Sequence, residues 1–456
     1  MPPSPGGEKK LEIPAEYRAP GTTLSLAQLV DLALRNNPRT REAWHFARAA
    51  AAEVGSKRAE YFPTVDLNGT ITRQKSAAVG GQFLFLQTTY GPAATLDWLL
   101  FDFGGRAADV GEAKAALYAA DWTHNAAIQD VVLLVAEAYY QYLNAKGLAV
   151  ARRANLEEAQ KNLSAAEERH RAGIATIADV LQAKTSVSQA QLNLQDAEGQ
   201  IQIIRGSLAT AVGVPATIPV DVGELPRELP LEMVQNDIET LIAKAVSERP
   251  DLAARRFDAL AAQSHVGSVR AEALPRLRAS GNLNRTYYLT SAARPYSDNY
   301  AGTILLTIPV FTGFDVEYRT RQAQEQAEAA RATAERTEDQ VSFEVWSGYY
   351  AVQTATQRVQ TSRDLLASAQ QSAQVAEGRY REGVGSILDV LTAQSALADA
   401  RAQEVQARSL WFLSMAQLAH ATGGLLPGAA EIRTPQATPA PAPSGETVSP
   451  EKKVRP

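Results

Sequence analysis

The sequence predicts a mainly α-helical protein built twice from the same parts, a pair of β-strands followed by a long helical hairpin. A repeated motif is the first indication: GIATIADVLQAK begins at Gly173 and GVGSILDVLTAQ begins at Gly383, 210 residues later. Proline is the second, because it breaks a helix from inside and is absent between residues 92 and 215 and between 309 and 427. Two stretches of the chain are therefore free to form very long helices.

The composition excludes several classes of function. Among 456 residues, 45 are basic and 50 are acidic, so the chain lacks the positive field of a nucleic-acid-binding protein. Cysteine is absent, which excludes disulfides, thiolate metal sites, cysteine nucleophiles and a lipidated cysteine in this chain. No window of about 18 apolar residues predicts a transmembrane helix. The first residues do not show the basic and then apolar pattern of a secretory signal.

The duplication divides the chain into five segments. Both halves carry a pair of prolines 25 residues apart, Pro38 with Pro63 and Pro250 with Pro275. Repeats of this size and order indicate duplication with internal pseudo-symmetry. We expect a disordered start, a first repeat, a linker, a second repeat and a disordered proline-rich tail, at residues 1–23, 24–213, 214–236, 237–424 and 425–456.

Each half is expected to hold two antiparallel helices that meet at the repeated glycine. The long stretches are rich in Ala, Gln, Glu, Arg and Leu, which favour helix formation. A helix from Gly105 to Ala172 would be on the order of 100 Å long. Apolar residues recur at intervals of three and four, which predicts one buried stripe on each long helix. The stripes comprise Val131, Leu134, Val135, Ala138, Tyr139 and Tyr142 in the first half and Val341, Val345, Tyr349 and Val352 in the second.

A different pattern precedes each long helix. In PTVDLNGTITRQ and PRLRASGNLNRTYYL, apolar and polar residues alternate with a period of two, as in a strand with one apolar face. A second alternating run follows in each half. The sequence therefore predicts four strands, at about residues 64–75, 90–101, 277–289 and 300–311.

These four strands need partners from other copies of the chain. Alone they bury too little surface to be stable, and they cannot close a barrel of useful width. Aromatic residues at the strand ends suit the interfacial girdles of an outer-membrane barrel, whereas the alternative is an ordinary soluble sheet covered by helices. The aromatic residues are Tyr61, Phe62, Tyr90, Trp98, Phe101, Tyr287, Tyr288, Tyr300 and Phe311.

The repeated motif predicts a turn between two antiparallel helices. Basic residues at 169–171 would complement the carbonyl end of a helix, because cations are favoured there. Gly173 follows them and would end that helix. A hydroxyl residue followed three positions later by a carboxylate then has the spacing of a capping box, which starts the next helix. These pairs are Thr176 with Asp179 and Ser386 with Asp389.

Several further stretches recur in the same order in both halves. They are ALRNNP and AVSERPDL, YFP and LPRL before the strands, LLFDFGGR and IPVFTGF after them, and YYQYL and YYAVQ within the long helices. With the two glycine motifs, these stretches resemble the outer membrane efflux family, the TolC-like channel proteins of Gram-negative cell envelopes. The resemblance covers about residues 24–424.

The resemblance implies a homotrimer in which each chain gives four strands to one twelve-stranded membrane β-barrel and its helices to a long periplasmic tunnel. The trimer would lie in the lipid of the outer membrane and extend into the periplasm. It would meet a periplasmic adaptor protein and, through it, an inner-membrane pump or ABC transporter of a tripartite efflux or type I secretion system. The channel would be a passive exit duct, with no catalytic residue, cofactor, metal or nucleic acid.

The resemblance also implies roles for residues near the hairpin tips. Asp389 matches a ring of carboxylates, one per chain, that would favour cations and raise one another's pKa. A second carboxylate is usual one turn further on, where this chain has Thr392, so a single acidic ring is expected. Tyr380 matches a tyrosine that latches the closed tip, but the arginine expected near it is replaced by Gly385. Asp179, the counterpart of Asp389, is either a plain helix cap or part of the gate.

Adaptor docking is expected at the same tips. Small residues there would let another helix tip approach the backbone closely. The matching residues are Gly173, Ile174, Ala175, Thr176, Gly383, Val384, Gly385 and Ser386.

Two alternatives stay open on the sequence. An enzyme is disfavoured because the five histidines are scattered singly and none of the motifs H-E-x-x-H, G-x-S-x-G, P-loop or G-x-G-x-x-G occurs. A soluble periplasmic coiled-coil scaffold or interaction protein would account for the long alanine-rich helices. It would not account for the strand patterns within residues 63–101 and 275–311.

Overall fold

The computed structural model describes residues 23–78, 83–226, 229, 237–289 and 295–424. Within these residues the chain forms eight α-helices and six β-strands. The expected disordered segments lie outside the described residues, except Thr23, which belongs to a short strand. Of the expected linker, residues 214–226 and 229 are described and include the short strand Asp221–Val222.

Apart from two short strands, the two halves contain the same elements in the same order. In the first half these are β1 (Thr23–Leu24), α1 (Leu26–Asn36), α2 (Pro38–Ala59), β2 (Thr64–Ala78), β3 (Phe83–Phe101), α3 (Gly105–Arg171), α4 (Ile177–Val212) and β4 (Asp221–Val222). In the second half they are α5 (Ile238–Glu248), α6 (Pro250–Ala271), β5 (Arg276–Tyr288), β6 (Tyr296–Thr307), α7 (Asp315–Arg381) and α8 (Ile387–Ala421). The short strands β1 and β4 pair in parallel and have no counterpart in the second half of the described chain.

The long helices dominate the fold. Both α3 and α7 have 67 residues, which makes each about 100 Å long. Each packs along the helix that follows it, α4 or α8, to form an antiparallel hairpin. None of the described helices combines the length and the apolar character that a membrane span requires. The predicted class, mainly α with two strand pairs and two long helical hairpins, is confirmed.

The largest hydrophobic core lies about midway along α3, where α1, α4 and α8 pack against it. The residues of the first predicted stripe are buried or half-buried in this core. Those of the second stripe are buried or half-buried at the corresponding level of α7. Trp411 of α8 is the largest fully buried side chain, and its Nε1 donates a hydrogen bond to Oγ1 of Thr356 over 3.0 Å. Beside it, the rings of Tyr140 and Phe412 stack with their centroids 5.1 Å apart.

The four long strands form one antiparallel sheet in the order β2-β3-β5-β6. Its central pair, β3 with β5, joins the two halves of the chain. The third of the predicted strands is observed almost as expected. Strand β3 starts at Phe83, before the expected residue 90, because its residues 83–97 pair with the whole of β2. Strand β6 ends at Thr307, short of the expected residue 311, since Pro309 has no N–H for the ladder.

The sheet has one apolar face and one polar face. Directly paired residues share a face, so the register places apolar residues of all four strands together. Members of this face are Val65, Leu67, Ile71, Tyr90, Leu96, Trp98, Leu283, Tyr287, Tyr300, Ile304 and Leu306. On the opposite face, Arg278 forms an ion pair with Asp97.

The apolar face of the sheet is uncovered in the single chain. Leu67 is 85% exposed and Tyr300 is 88% exposed. No described helix packs across the four-stranded sheet, and both edge strands, β2 and β6, are unpaired on their outer side. Within the described residues, the sheet is therefore not covered by the helices of its own chain.

Replacing Trp411 with alanine should destabilise the fold by about 3–5 kcal/mol, because the change leaves a cavity in the largest core. Denaturant unfolding in detergent, followed by far-ultraviolet circular dichroism, measures this loss. Trp411→Phe keeps most of the packing and loses the hydrogen bond to Thr356, so it should cost about 1 kcal/mol. Equal, small losses in the two variants would show that Trp411 does not anchor the core.

Candidate functional site

The free ends of the two helical hairpins are the candidate site, and both turns have the same backbone structure. Two residues after the ends of α3 and α7 lie glycines with positive φ, +75° at Gly173 and +80° at Gly383. The N–H of Ile174 donates to the carbonyl of Arg169 over 3.0 Å, and that of Val384 does the same with Arg379. This pattern is a Schellman motif, which satisfies the last carbonyls of a helix and turns the chain.

A capping box starts the following helix in each hairpin, as the motif predicts. The N–H of Thr176 donates to the carboxylate of Asp179 over 2.8 Å, and the N–H of Asp179 donates to Oγ1 of Thr176 over 3.3 Å. Ser386 and Asp389 make the same two bonds, at 3.0 and 3.2 Å. Both aspartates therefore have a structural role in starting α4 and α8.

The two hairpin ends are joined to each other by Arg169 of α3. Its Nη1 donates to the carbonyl of Tyr380 over 2.9 Å and to that of Arg381 over 3.3 Å. Its guanidinium carbon also lies 4.7 Å from the centre of the Tyr380 ring, in a cation–π contact. The arginine that the family pattern places next to this tyrosine is missing at position 385, and Arg169 reaches the tyrosine from the other hairpin.

Sequence reasoning assigned Arg169 only a role in complementing the end of α3. Its contact joins residues that are 211 positions apart, which no local pattern reveals. One signal was available: Arg169 and Arg379 occupy the same position in the two copies of the motif, four residues before the glycine.

Tyr380 is buried at this junction. Its side chain packs with Ile387 and Val390 of α8. Burial raises the pKa of the Tyr380 phenol, the neighbouring Arg169 lowers it, and Asp179 adds to the rise. The phenol oxygen has no hydrogen-bond partner although Asp179 is close enough to act on its pKa. Asp179 therefore interacts with Tyr380 electrostatically and not through a hydrogen bond.

Gly385 lets the second turn close tightly. A Cβ added there would lie 3.1 Å from Cβ of Arg379 and 3.2 Å from backbone atoms of residues 379 and 380. The N–H of Gly385 also donates to the carbonyl of Arg379 over 3.1 Å. A larger residue at 385, such as the arginine of the family pattern, would need this turn to shift.

The two aspartates lie in different surroundings. Asp179 is half-buried near Tyr380, whereas Asp389 is exposed, and so is Thr392 one turn further along α8. Hydrogen bonds from Ser386 hold the pKa of Asp389 below its usual value, and Arg379 contributes to the lowering. Within one chain this is opposite to the rise expected for a ring of three carboxylates, and the behaviour of such a ring stays a prediction.

The residues predicted to dock an adaptor form the two outermost turns. Ile174 and Val384 are exposed apolar side chains at matching positions, while Ala175 and Gly385 are half-buried. At the first turn, Nδ1 of His170 lies 2.9 Å from the carbonyl of Ala175, which ties the turn to the end of α3. The docking role of these residues stays a prediction.

Comparison with known proteins identifies the family. Residues 29–214 and 241–424 match the profile described as outer membrane efflux protein. The chain belongs to the outer membrane efflux protein family. It is accordingly a transport protein of the Gram-negative outer membrane that extends into the periplasm, as the sequence resemblance implies.

Named members of the family match most of the chain. Protein CyaE of Bordetella pertussis is 28% identical over 411 residues, which cover 90% of this chain and 84% of that protein. The probable efflux pump outer membrane protein TtgC of Pseudomonas putida is 26% identical, over 88% of this chain and 83% of its own length. The relatives of this chain thus include outer membrane components of efflux pumps.

Solved structures show the same fold. The outer-membrane channel OprN superposes with a TM-score of 0.79 at 22% identity, covering 88% of this chain and 90% of its own. The outer membrane protein VceC of Vibrio cholerae superposes with a TM-score of 0.77 at 23% identity, covering 88% and 96%. The combination of strand pairs and long helical hairpins is therefore that of the outer-membrane channels.

Replacing Thr176 with alanine should loosen the first turn of α4, because an N-cap side chain contributes about 1 kcal/mol. Amide hydrogen exchange in residues 177–180 should speed up about five-fold, the factor that corresponds to this free energy. Thr185→Ala is the matched control, since Thr185 is exposed within the same helix and donates only to the carbonyl of Leu181. Unchanged exchange in the Thr176 variant would contradict the capping role.

Proposed function

We propose that three copies of this chain form an outer-membrane channel, the passive exit duct of a tripartite efflux or type I secretion system. In this proposal the duct is opened at its periplasmic end by an adaptor, which links it to an inner-membrane pump or ABC transporter. Each copy contributes two repeats, residues 24–213 and 237–424, joined by a linker at 214–236. The observation that carries the proposal is the open sheet with one apolar face and two unpaired edges.

The sheet supports a barrel made by several chains. Edge strands with free N–H and C=O groups cannot be exposed to lipid, so a membrane sheet must close on itself. Two copies would give eight strands, whose interior is filled by side chains, whereas three copies give twelve strands and a wider lumen. The apolar face would then contact lipid, and the polar face, with Asp97 and Arg278, would line the lumen.

The helical hairpins support a tunnel below the barrel. Helix α3 begins four residues after the end of β3 and α7 begins eight residues after the end of β6, so the proposed barrel would continue into helices. Two helices of about 100 Å from each of three chains, with the shorter α4 and α8 packed along them, would enclose a duct long enough to cross much of the periplasm. Docking of the adaptor at the tips, residues 173–176 and 383–386, is supported by the small and exposed residues there.

The gate of this channel would combine charge with a latch. Asp389 lies exposed at the start of α8, and three copies would form a single acidic ring, since Thr392 supplies no second one. The latch would be the contact of Arg169 with Tyr380, which holds one hairpin end against the other. Asp179 would act on the latch through Tyr380 rather than as part of the ring.

Replacing Asp389 with alanine should lower the cation selectivity of the channel several-fold in a planar bilayer, because the ring loses its three charges. Ser386→Ala is the matched control: it removes the partner hydroxyl of the cap and leaves the carboxylate in place. Currents and selectivity identical to those of the unmodified channel would remove Asp389 from the gate.

Replacing Arg169 with glutamine should raise the open fraction of single channels. A cation–π contact and a charged hydrogen bond together contribute about 2 kcal/mol, which corresponds to a roughly 30-fold shift in the ratio of open to closed states. Arg171→Gln, an exposed arginine two residues further on, should leave the ratio unchanged. Combining Arg169→Gln with Tyr380→Leu should add little to either single change, and additive effects would contradict a shared latch.

A further inference from the structure

The two halves of the chain differ at the junction of strand and helix, where the first half holds a buried arginine. Arg106, in the first turn of α3, is 6% exposed. Its Nη1 donates to the carbonyls of Glu60 and Leu99 over 3.2 and 2.7 Å, and its Nη2 donates to that of Leu100 over 3.2 Å. Its guanidinium carbon lies 4.6 Å from the centre of the Tyr61 ring. The side chains of Arg106 and Tyr61 thus fill this junction.

The same junction in the second half is a pocket. Val316 of α7 occupies the position of Arg106 in the repeat, and Ala273 occupies that of Tyr61. Both line a cavity of about 480 Å³ between the end of α6, the segment that follows β6 and the start of α7. The second half therefore lacks the two side chains that fill the junction in the first half.

The pocket is lined by charged side chains without partners. They are Arg270, which belongs to α6, and Glu317 and Arg321, which belong to α7. Within the described part of the chain, none of the three makes a hydrogen bond or an ion pair through its side chain. Glu317 and Arg321 do not pair with each other although they are four residues apart. The pocket therefore offers both positive and negative charge to a ligand.

Backbone acceptors add to this chemistry. Pro309 and Val310 line the pocket at the positions of Leu99 and Leu100, whose carbonyls accept from Arg106 in the first half. The apolar side chain of the second-half counterpart has no N–H to replace the guanidinium. A cationic group of a ligand would fit in its place, with the nearby carboxylate to balance the charge.

An exposed apolar surface leads from the sheet to the pocket. Ile304 and Leu306 belong to the apolar face, and Val310 continues their alternate positions beyond the end of β6. Val310 is 92% exposed, and Phe311 next to it is 74% exposed. A ligand of this pocket thus meets apolar side chains on one side and charged groups on the other, as an amphiphile requires.

We propose that this pocket binds the headgroup of an ethanolamine phospholipid. The ammonium lies near the carbonyls of residues 309 and 310 and the carboxylate of Glu317. Arg270 and Arg321 bind the phosphate, because arginine side chains suit phosphate oxygens, and the acyl chains lie along the apolar residues around Phe311. This inference rests on the proposed function, which places the junction of strands and helices at the periplasmic surface of the membrane.

A neighbouring copy in the proposed ring would leave the pocket accessible. The neighbour would lie beside β6 and α7 as β5 and α6 lie beside β3 and α3 within one chain. Arg58 and Phe101 of the first half, which correspond to Arg270 and Phe311, stay exposed there. The other arginine, Arg321, corresponds to a glycine that lies close to α6. Arg270 is therefore the arginine that stays clear of the neighbour.

Native mass spectrometry tests the site with the full chain, delipidated in detergent and then mixed with dioleoylphosphatidylethanolamine. Arg270→Gln should lower the retention of this lipid about ten-fold, because the phosphate loses a charged hydrogen bond. Arg58→Gln is the matched control: it changes an exposed arginine at the corresponding position, where the junction is already filled. Retention in the control variant should equal that of the unmodified protein.

Two further comparisons test how the lipid is bound. Ala273→Tyr restores at an exposed position the side chain that fills the first junction, so it should also lower retention about ten-fold. Dioleoylphosphatidylglycerol has the phosphate and the acyl chains but no ammonium. The unmodified protein should retain it about ten-fold less than the ethanolamine lipid, and Glu317→Gln should remove this preference.

The outcomes separate this inference from the proposed function. Equal retention in the Arg270→Gln and Arg58→Gln variants would overturn the site, and equal retention of the two lipids would overturn the placement of the ammonium. If the protein has the mass of one chain in detergent, the proposed ring fails. Lipid retention still reports on the pocket in that case, because a single chain forms it.

Discussion

The unpaired backbone at the two edges of the sheet is the constraint on which the rest of the structure depends. A membrane offers no water to N–H and C=O groups, and each group left without a partner costs several kcal/mol. The chain supplies four strands, one apolar face and no helix that covers it in the described residues. A sheet of this kind is stable in the outer membrane only when other strands continue it on both sides.

The helices, like the sheet, leave apolar residues of the single chain exposed. Duplication gives each half a strand pair and a hairpin, and the pairing of β3 with β5 that joins the halves has no counterpart between β6 and β2 in the described residues. In the proposed assembly, exposed aromatic residues such as Trp346 and Tyr350 are available for contacts with another chain. At the free ends of the hairpins, capping boxes start the returning helices α4 and α8. The two hairpins also meet there, where Arg169 contacts Tyr380.

Much of the fold could be predicted from the sequence, because it depends on local rules. The absence of proline and the repeated glycine indicated two long hairpins, and Thr176 and Ser386 occupy the N-cap positions that their spacing predicts. Strand ends were less predictable, since pairing with β2 extends β3 back to Phe83, through residues without a clear alternation. Local helix chemistry could not separate the environments of Asp179 and Asp389, because Tyr380, which interacts with Asp179, comes from a distant part of the chain.

The contact between the hairpin ends shows most clearly where sequence reasoning stops. Gly385 departs from the family pattern, and on sequence grounds this left the latch without an arginine. The fold brings Arg169 to Tyr380 across 211 positions, a distance that capping rules and periodicity do not address. Only the packing of one hairpin against the other reveals it.

Amide hydrogen exchange at the edge strands, in the protein embedded in lipid bilayers, tests the central claim most directly. If chains complete one another's sheets, the amides of β2 and β6 should be as strongly protected as those of the central strands β3 and β5. Fast exchange along the outer side of β2 or β6, with the central pair protected, would contradict a closed barrel.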